Sequence, residues 1–213
     1  SVDVLWQVPN SIVPPFYRGK AMPLAESAVS FVAIPQAVCS AGTLLSAGSL
    51  VYDWQENYES DKTNSGYGKN TFRSVMDYLN PLKRMTVTVT DRNGTVLAGK
   101  ELVLTPRDPE LVWYVASPLY GPIFDHALGA SFDVKTSDIS LIAEPYFFSA
   151  KDPASSKFEY AWRLNNSDII AHGEPNLLPL HRDTEAAGNA SVLIDIVNTK
   201  KLYETVSGFI GTT

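Results

Sequence analysis

The side chains of this sequence that could perform chemistry are three histidines, one cysteine and scattered carboxylates. His126, His172 and His181 do not lie at metal-ligand spacing from one another or from a cysteine. No serine lies in a nucleophile elbow, and residues 65–70 lack the strand-to-helix setting of a phosphate-binding loop. We therefore expect a protein that is not an enzyme and that carries no cofactor or metal.

Two turns offer oxygen ligands of the kind that calcium prefers. Asp91 and Asn93 lie in one turn, and Asp183 and Glu185 lie in the other. Each turn has fewer ligands than a dedicated calcium-binding loop. The sequence therefore favours two solvated turns over a calcium site.

Cys39 is the single cysteine, so no disulfide can form within one chain. A reactive thiol or a bridge to another chain is one interpretation of this residue. The favoured interpretation is a small buried apolar side chain.

Aromatic side chains are candidates for carbohydrate binding, since exposed tyrosine and tryptophan rings can stack on sugar rings. The candidates are Tyr58, Tyr67, Trp113 and Tyr114. Packing in a core or a domain interface is the alternative for each of them. Trp113 has a counterpart at Trp6 in the repeat described below, and a duplicated position favours a role in the fold.

The elements that must position these residues are strands, and two aromatic segments mark them most clearly. In residues 50–55, Tyr52 and Trp54 are two apart and share one face of a strand. Residues 158–163 repeat the pattern, and residues 85–90 alternate apolar side chains with threonines, which suits a sheet with one solvated face. The residues that we predict to mark the core are Tyr52, Trp54, Val87, Val89, Tyr160 and Trp162.

The spacing of these landmarks indicates an internal duplication. Trp54 and Trp162 are 108 residues apart, and Trp6 and Trp113 are 107 apart. Residues 27–35 are echoed at an offset of 110, in the same order along the chain. We predict two tandem copies of one domain, residues 1–108 and 109–213, joined near residues 105–109.

Each copy has about seven short strands separated by turn signals, and neither has a convincing amphipathic helix. Asn93-Gly94 predicts a hairpin turn, because both residues tolerate positive φ. Residues 72–79 fit either a short strand or a helical turn. The apolar residues 111–128 are assigned to the leading strand and corner of the second copy. The predicted fold class is all-β, with two tandem immunoglobulin-like β-sandwich domains.

Composition limits the partners. The chain has 213 residues, so each copy is long enough to bury one core without disulfides. Its net charge of −6 argues against a nucleic-acid partner and against a polybasic membrane patch. No apolar run is long enough to span a bilayer, so we expect any membrane anchor to lie outside this chain.

The chain resembles the immunoglobulin-like and polycystic-kidney-disease-like domains of bacterial surface proteins, and most of all tandem ectodomains predicted in small-genome, uncultured bacteria. The resemblance covers nearly the whole chain and implies architecture more than activity. It also implies an extracellular or cell-surface location. The segments that carry it are residues 14–20, 51–54, 65–70 and 187–191.

The function that we expect is that of a non-enzymatic surface protein: a spacer, an adhesion module or a filament subunit. Edge strands can pair with a strand of another chain, which gives either self-assembly or binding to a protein partner. The predicted edges are residues 2–8 and 203–210, and the residues named on them are Val4, Trp6, Val8, Val206 and Phe209. A carbohydrate-binding module, with a glycan as the partner, is the alternative.

Overall fold

The computed structural model describes residues 1–38, 42–182 and 189–212. The chain forms two compact units. Unit 1 comprises Ser1–Pro9 and Lys20–Arg107, and unit 2 comprises Asn10–Gly19 and Asp108–Thr213. Across the described ranges the elements are strands, turns and a short 3-10 turn at Ala47–Ser49.

Unit 1 is a sandwich of two antiparallel sheets. Its strands are β1 (Val2–Gln7), β2 (Ala28–Pro35), β3 (Val51–Glu56), β4 (Glu59–Ser60), β5 (Gly66–Tyr67), β6 (Thr71–Val75), β7 (Lys83–Thr90) and β8 (Val96–Leu104). One sheet has the order β1-β2-β6. The other has the order β4-β3-β7-β8, with β5 also paired to β3. Residues 72–79, which fitted a strand or a helical turn, thus begin in a strand.

The core of unit 1 lies between these two sheets. In β7 the buried residues alternate with half-buried threonines, as the sequence pattern predicts. Tyr52 and Trp54 of β3 are fully buried, and so are Val87 and Val89 of β7. The Trp54 ring lies 5.5 Å from the Phe72 ring of the opposite sheet, so aromatic packing joins the two layers.

Unit 2 has the same plan, with β10 and β11 added and no counterpart of β5 among its described strands. Its strands are β9 (Glu110–Ser117), β10 (Gly121–Leu128), β11 (Ser131–Phe132), β12 (Asp138–Tyr146), β13 (Phe158–Leu164), β14 (Ser167–Ile169), β15 (Leu177–His181), β16 (Ala190–Asn198) and β17 (Thr205–Thr212). One sheet has the order β10-β9-β12-β15, and the other has the order β11-β17-β16-β13-β14. Trp113 and Trp162 pack across the core with ring centroids 5.8 Å apart.

The two units share one strand order. Strands β1, β2 and β6 correspond to β9, β12 and β15, and strands β3, β4, β7 and β8 correspond to β13, β14, β16 and β17. β10 and β11 have no counterpart among the described strands of unit 1. The chain is all-β and consists of two tandem immunoglobulin-like β-sandwiches.

Equivalent hydrogen bonds anchor the aromatic strand of each unit. The indole nitrogen of Trp54 donates to the carbonyl of Lys69 at 2.9 Å, and that of Trp162 donates to the carbonyl of Pro175 at 2.8 Å. Trp54 lies opposite Val87 on β7, and Trp162 lies opposite Ile194 on β16. Each buried indole therefore has both a packing partner and a hydrogen-bond acceptor. Likewise, the hydroxyls of Tyr52 and the half-buried Tyr160 donate to preceding backbone carbonyls.

A hairpin after each aromatic strand repeats in detail. Asn57 in unit 1 and Asn165 in unit 2 both have positive φ, 51° and 50°. The side chain of Asn57 accepts a hydrogen bond from the backbone of Arg84 at 2.9 Å, and Asn165 does the same with Ser191. Asparagine tolerates this left-handed conformation better than most residues.

One segment differs from the predicted domain bounds. Asn10–Gly19 belongs to unit 2, although it precedes most of unit 1 in the chain. The backbone of Ile12 donates to Phe148 at 3.1 Å and accepts from Phe147 at 2.7 Å. Tyr17 packs edge-on against the Phe147 ring, 6.1 Å away. These contacts are long-range in sequence, so strand periodicity alone gave no sign of them.

Candidate functional site: the free edge of the first strand

The chemically reactive residues are dispersed. His126 pairs with the neighbouring Asp125, and His181 pairs with Asp138 across the sheet, at 2.7 and 2.8 Å. Within the described ranges, no three histidine, cysteine, aspartate or glutamate side chains are grouped as a metal would require. Those ranges also hold no helix with the length and apolarity needed to cross a membrane.

Of the two turns that could offer oxygen ligands to calcium, the one that contains Asp91 lies within the described residues. Asp91 accepts hydrogen bonds from the backbone of Asn93 and Thr95, each at 2.8 Å. These bonds lower the pKa of Asp91, with the bond from Thr95 the largest cause. Asp91 thus stabilises its own turn. Cys39, Asp183 and Glu185 lie outside the described residues.

The four aromatic candidates for carbohydrate binding separate into two pairs. Trp113 and Tyr114 are 5% and 7% exposed, so they are packed in unit 2 and have no free face for a sugar ring. Tyr58 and Tyr67 are exposed on unit 1. The guanidinium groups of Arg84 and Arg92 lie over their rings, 5.2 and 4.8 Å from the centroids.

The outer edge of β1 carries free backbone groups. Ser1 and Gln36 exchange two backbone hydrogen bonds, of 2.8 and 3.2 Å. Because hydrogen-bonded pairs alternate along an antiparallel ladder, the odd-numbered residues of β1 bond to β2. Val2, Val4 and Trp6 therefore direct their N–H and C=O groups away from the sheet, and no strand in the described residues pairs with them.

The side chains of β1 alternate between the core and solvent. Val2, Val4 and Trp6 pack against the unit 1 core, and Val8 is buried just beyond the end of the strand. Leu5 faces outwards and is 54% exposed. β1 is thus a strand whose core face is anchored and whose edge can accept a further strand.

The edge of β6, on the other side of the same sheet, is also open. The backbone N–H of Met76 donates to Ser27 at 2.9 Å, so Phe72 and Ser74 bond to β2. Thr71, Arg73 and Val75 direct their backbone groups outwards. Neither β1 nor β6 contains a proline.

Unit 2 covers the edge that unit 1 leaves open. β10 pairs with β9, the counterpart of β1, with Pro122 opposite Ala116. The ladder of β9 and β12 makes Ser140 and Ala116 a hydrogen-bonded pair, so the ring nitrogen of Pro122 faces the new outer edge. Proline has no N–H to donate, and the register of β10 also shifts between Ile123 and Leu128. Both features discourage a further strand.

The opposite edge of that sheet carries a second proline. Arg182 donates its backbone N–H to Ser137 at 2.7 Å, so the odd-numbered residues of β15 face outwards. Pro179 occupies such a position, opposite Ser140. Its counterpart in β6 is Arg73, opposite Ser30. The two units therefore differ in edge protection at equivalent places.

The last strand of unit 2 is partly covered. Gly211 donates its backbone N–H to Ala130 at 2.9 Å, and β11 pairs with the end of β17. By alternation, Phe209 directs its backbone outwards, whereas Val206 bonds to β16. Of these two predicted edge residues, Phe209 alone has free backbone groups.

Buried charges distinguish the interiors of the units. In unit 1, Lys83 is 2% exposed and contacts Glu56, and it also donates to Ser74 at 2.6 Å. In unit 2, Glu204 is fully buried and accepts from Asn198 at 2.7 Å and from the backbone of Ser149 at 3.0 Å. Hydrogen bonds thus compensate each buried charge.

Glu144 is a further buried carboxyl group of unit 2. It is 8% exposed, and it accepts a hydrogen bond from Asn176 at 3.2 Å. Burial raises the pKa of Glu144 to about 7, and the negative charges of Asp152 and Glu174 add to the effect. Its sequence counterpart in unit 1 is Ile34, which is exposed.

Sequence reasoning missed three residues that distinguish unit 2 from unit 1. Pro122 and Pro179 each interrupt an apolar segment, and that is the signal by which an edge strand can be recognised. Glu144 stands where the first repeat has the exposed Ile34, so the sequence carried no signal for its burial.

No protein-family model and no curated protein matches this sequence. Solved structures that match are chains of tandem domains. Three N-terminal domains of the Highly Immunogenic Outer Capsid protein of bacteriophage RB49 have 17% identity and a TM-score of 0.49; the match covers 100% of this chain and 58% of that one. Fibronectin(III)-like modules of Clostridium thermocellum CbhA have 9% identity and a TM-score of 0.27, with coverages of 99% and 93%.

Sidekick-1 immunoglobulin domains 1–4 have 9% identity and a TM-score of 0.29, with coverages of 99% and 74%. The chain thus spans less than two thirds of the phage structure. The strand order of the two units, described above, is what defines their fold here.

Proposed function

We propose that the chain is a non-enzymatic, exported structural or adhesion module that pairs through the free edge of β1 with a strand of another protein chain. The observation that carries this proposal is the asymmetry of the edges. The first strand of unit 2 is covered by β10, whereas its counterpart β1 is uncovered within the described structure. A cell-surface location and kinship with bacterial surface domains belong to the same proposal.

The chemistry of strand addition fits this edge. Val2, Val4 and Trp6 offer alternate donors and acceptors, and the incoming strand would satisfy them in an antiparallel or parallel ladder. Leu5, beside them on the outer face, would gain apolar contact with the added strand. A second copy of the chain or a strand of a protein partner can supply the ladder.

A proline at Val4 tests the proposal directly. The N–H of Val4 faces outwards, so Val4→Pro removes a donor from the free edge without removing a hydrogen bond to β2. We expect the folded variant to lose binding of a labelled peptide of sequence VDVLWQ and the part of any self-association that depends on the β1 edge. Unchanged peptide binding by the folded variant would reject the proposal.

Arg73→Pro is the matched control. It blocks the other open edge of the same sheet in the same manner, because Arg73 also directs its N–H outwards. If β1 is the functional edge, this variant keeps the association that Val4→Pro loses.

Carbohydrate binding is the second candidate, favoured by the exposure of Tyr58 and Tyr67, at 75% and 51%. The guanidinium group over one face of each ring could donate to sugar hydroxyls. A glycan array with the wild type and with Tyr58→Ala plus Tyr67→Ala tests this function. Absence of binding by the wild type removes the candidate.

A further inference from the structure

Phe16 of unit 2 is an aromatic side chain held in solvent. The backbone N–H of Tyr17 donates to Pro14 at 3.1 Å and closes a four-residue turn. Phe16 occupies its third position with a φ of 57° and is 99% exposed. Glycine or asparagine usually fills such a left-handed position, since a bulky side chain is strained there.

The base of this turn is fixed. Ile12 exchanges two backbone hydrogen bonds with Phe147 and Phe148, and Tyr17 packs on the Phe147 ring. The turn therefore presents Phe16 on a rigid support, with the exposed Arg18 two residues further on. An exposed aromatic ring on a rigid element is the form that interface anchors take.

A groove of about 390 Å³ lies across one end of the sheet of β9, β10, β12 and β15. Each strand contributes one half-buried apolar side chain to it, namely Val115, Ile123, Ile139 and Leu180. Asp138 and His181 lie at the same groove. Hydrogen bonds from His181 and Ser137 lower the pKa of Asp138, so its charge persists at neutral pH.

We propose that Phe16 of one copy inserts into this groove on unit 2 of a second copy, with Arg18 beside Asp138. The ring would pack against the apolar side chains that line the groove. The volume of the groove lies at the lower end of the range for ligand pockets. The charges of Arg18 and Asp138 are complementary across the contact. This contact lies on unit 2 and is independent of the β1 edge.

The geometry makes the contact heterologous. Phe16 and the groove are different surfaces of the same unit, so each copy keeps a free ring or a free groove after one contact has formed. Head-to-tail contacts of this kind continue into rings or open filaments. A contact with one aromatic anchor is small, so we expect weak association that depends on concentration.

Three single substitutions, one at the ring and two at the groove, separate the two surfaces. Phe16→Asn removes the ring and suits the left-handed backbone, so this variant should fold at least as well as the wild type. Asp138→Lys reverses an exposed charge at the groove and leaves Phe16 in place. Leu180→Gln, which makes the groove lining polar, is a second groove variant should the lysine alter the sheet.

Sedimentation velocity over a concentration series measures the association. We expect the wild type to form species larger than a dimer, and each single variant to associate at least tenfold more weakly. Phe16→Asn keeps a wild-type groove but has no ring, and each groove variant keeps the Phe16 ring but has an altered groove. A mixture of the two can therefore form a single ring-in-groove contact for each pair of molecules. It should form one-to-one dimers and no larger species.

The proposal is overturned if Phe16→Asn associates like the wild type, or if the wild type is monomeric at all concentrations. A mixture that stays monomeric while both parents are folded also overturns it. Val4→Pro distinguishes this contact from strand pairing, because it should leave the Phe16-dependent association unchanged. If Val4→Pro loses association and Phe16→Asn associates like the wild type, the result supports pairing at the β1 edge and not the Phe16 contact.

Discussion

Unit 1 and unit 2 have the same strand order and the same anchoring of their aromatic strands, yet they differ at their edges. Where unit 1 ends its sheet at β1, unit 2 adds β10. Where β6 has Arg73, β15 has Pro179. The interior of a sandwich tolerates few changes, because its packing is dense, whereas an edge can gain or lose a strand with little effect on the core.

This difference shows that two domains of one strand order can differ in how far their sheet edges are open to further strands. The prolines and the covering strand of the β10-β9-β12-β15 sheet disfavour strand addition at the edges of that sheet. The open edges of unit 1 leave it able to pair. The interiors of the units also differ, since unit 1 buries Lys83 against the partly exposed Glu56, whereas unit 2 buries Glu144 and Glu204.

The largest effect that we expect comes from Trp54→Ala and Trp162→Ala. Each removes a buried indole and leaves a carbonyl without its donor. Each should lower the free energy of unfolding of its own unit by about 3–5 kcal/mol. Hydrogen exchange measured on peptides from both units checks whether the loss stays within the mutated unit.

Trp54→Phe and Trp162→Phe are the matched controls, since they keep an aromatic ring and lose mainly the indole donor. Their cost should be clearly smaller than that of the alanine variants. Unequal losses for the two alanine variants would show that the two tryptophans are not equivalent anchors.

The next effect is the pH dependence of unit 2. The pKa of Glu144 is raised from 4.5 to about 7 in the folded unit. The stability that comes from its protonated form is therefore fully present below pH 4.5 and is lost as the pH rises through 7. At about 1.36 kcal/mol for each unit of pKa, the loss is about 3 kcal/mol.

Glu144→Gln should remove this loss, because the amide oxygen can still accept from Asn176 and carries no charge. Denaturant unfolding at pH 5 and pH 8, with wild type and variant side by side, measures it. Unit 1 has Ile34 at the equivalent position and should show no change from this source. A wild-type unit 2 that is equally stable at both pH values contradicts the prediction.

Gly208→Ala and Gly99→Ala compare equivalent last strands. A Cβ on Gly208 would lie 1.8 Å from a terminal methyl of Leu111 and 3.3 Å from the Trp113 ring. Leu111 must move, and overpacking of this kind costs about 1–3 kcal/mol. A Cβ on Gly99 meets nothing closer than a backbone oxygen at 3.6 Å, so Gly99→Ala should be neutral or slightly stabilising.

Thermal unfolding of the two glycine variants decides between these outcomes. Leu111→Ala, added to Gly208→Ala, should cost less than the sum of the two single changes, because it vacates the space that the new Cβ enters. Equal melting of Gly208→Ala and wild type would mean that Leu111 repacks freely.

The sequence predicted the all-β sandwich because it depends on alternation within strands, and alternation is local. The spacing of Trp54 and Trp162 also anticipated two equivalent strands. The membership of residues 10–19 was not predictable, since it depends on Ile12 meeting Phe147 and Phe148. Nor did periodicity reveal which edges are covered, because β10 was assigned to a corner and edge pairing is set by tertiary packing.

The smallest effect on stability that we expect comes from a substitution at the outer edge of β15, where unit 2 has a proline and unit 1 has an arginine. Pro179→Thr restores an outward N–H to β15, and it should change the free energy of unfolding of unit 2 by no more than about 0.5 kcal/mol. It should nevertheless increase strand-mediated association, because the edge then offers a donor to another strand. Light scattering at rising concentration, with Arg73→Pro as the reciprocal change on β6, measures this effect. If Pro179→Thr associates no more than the wild type, the prolines of unit 2 are not what protects its edges, and the covering strands alone account for the difference.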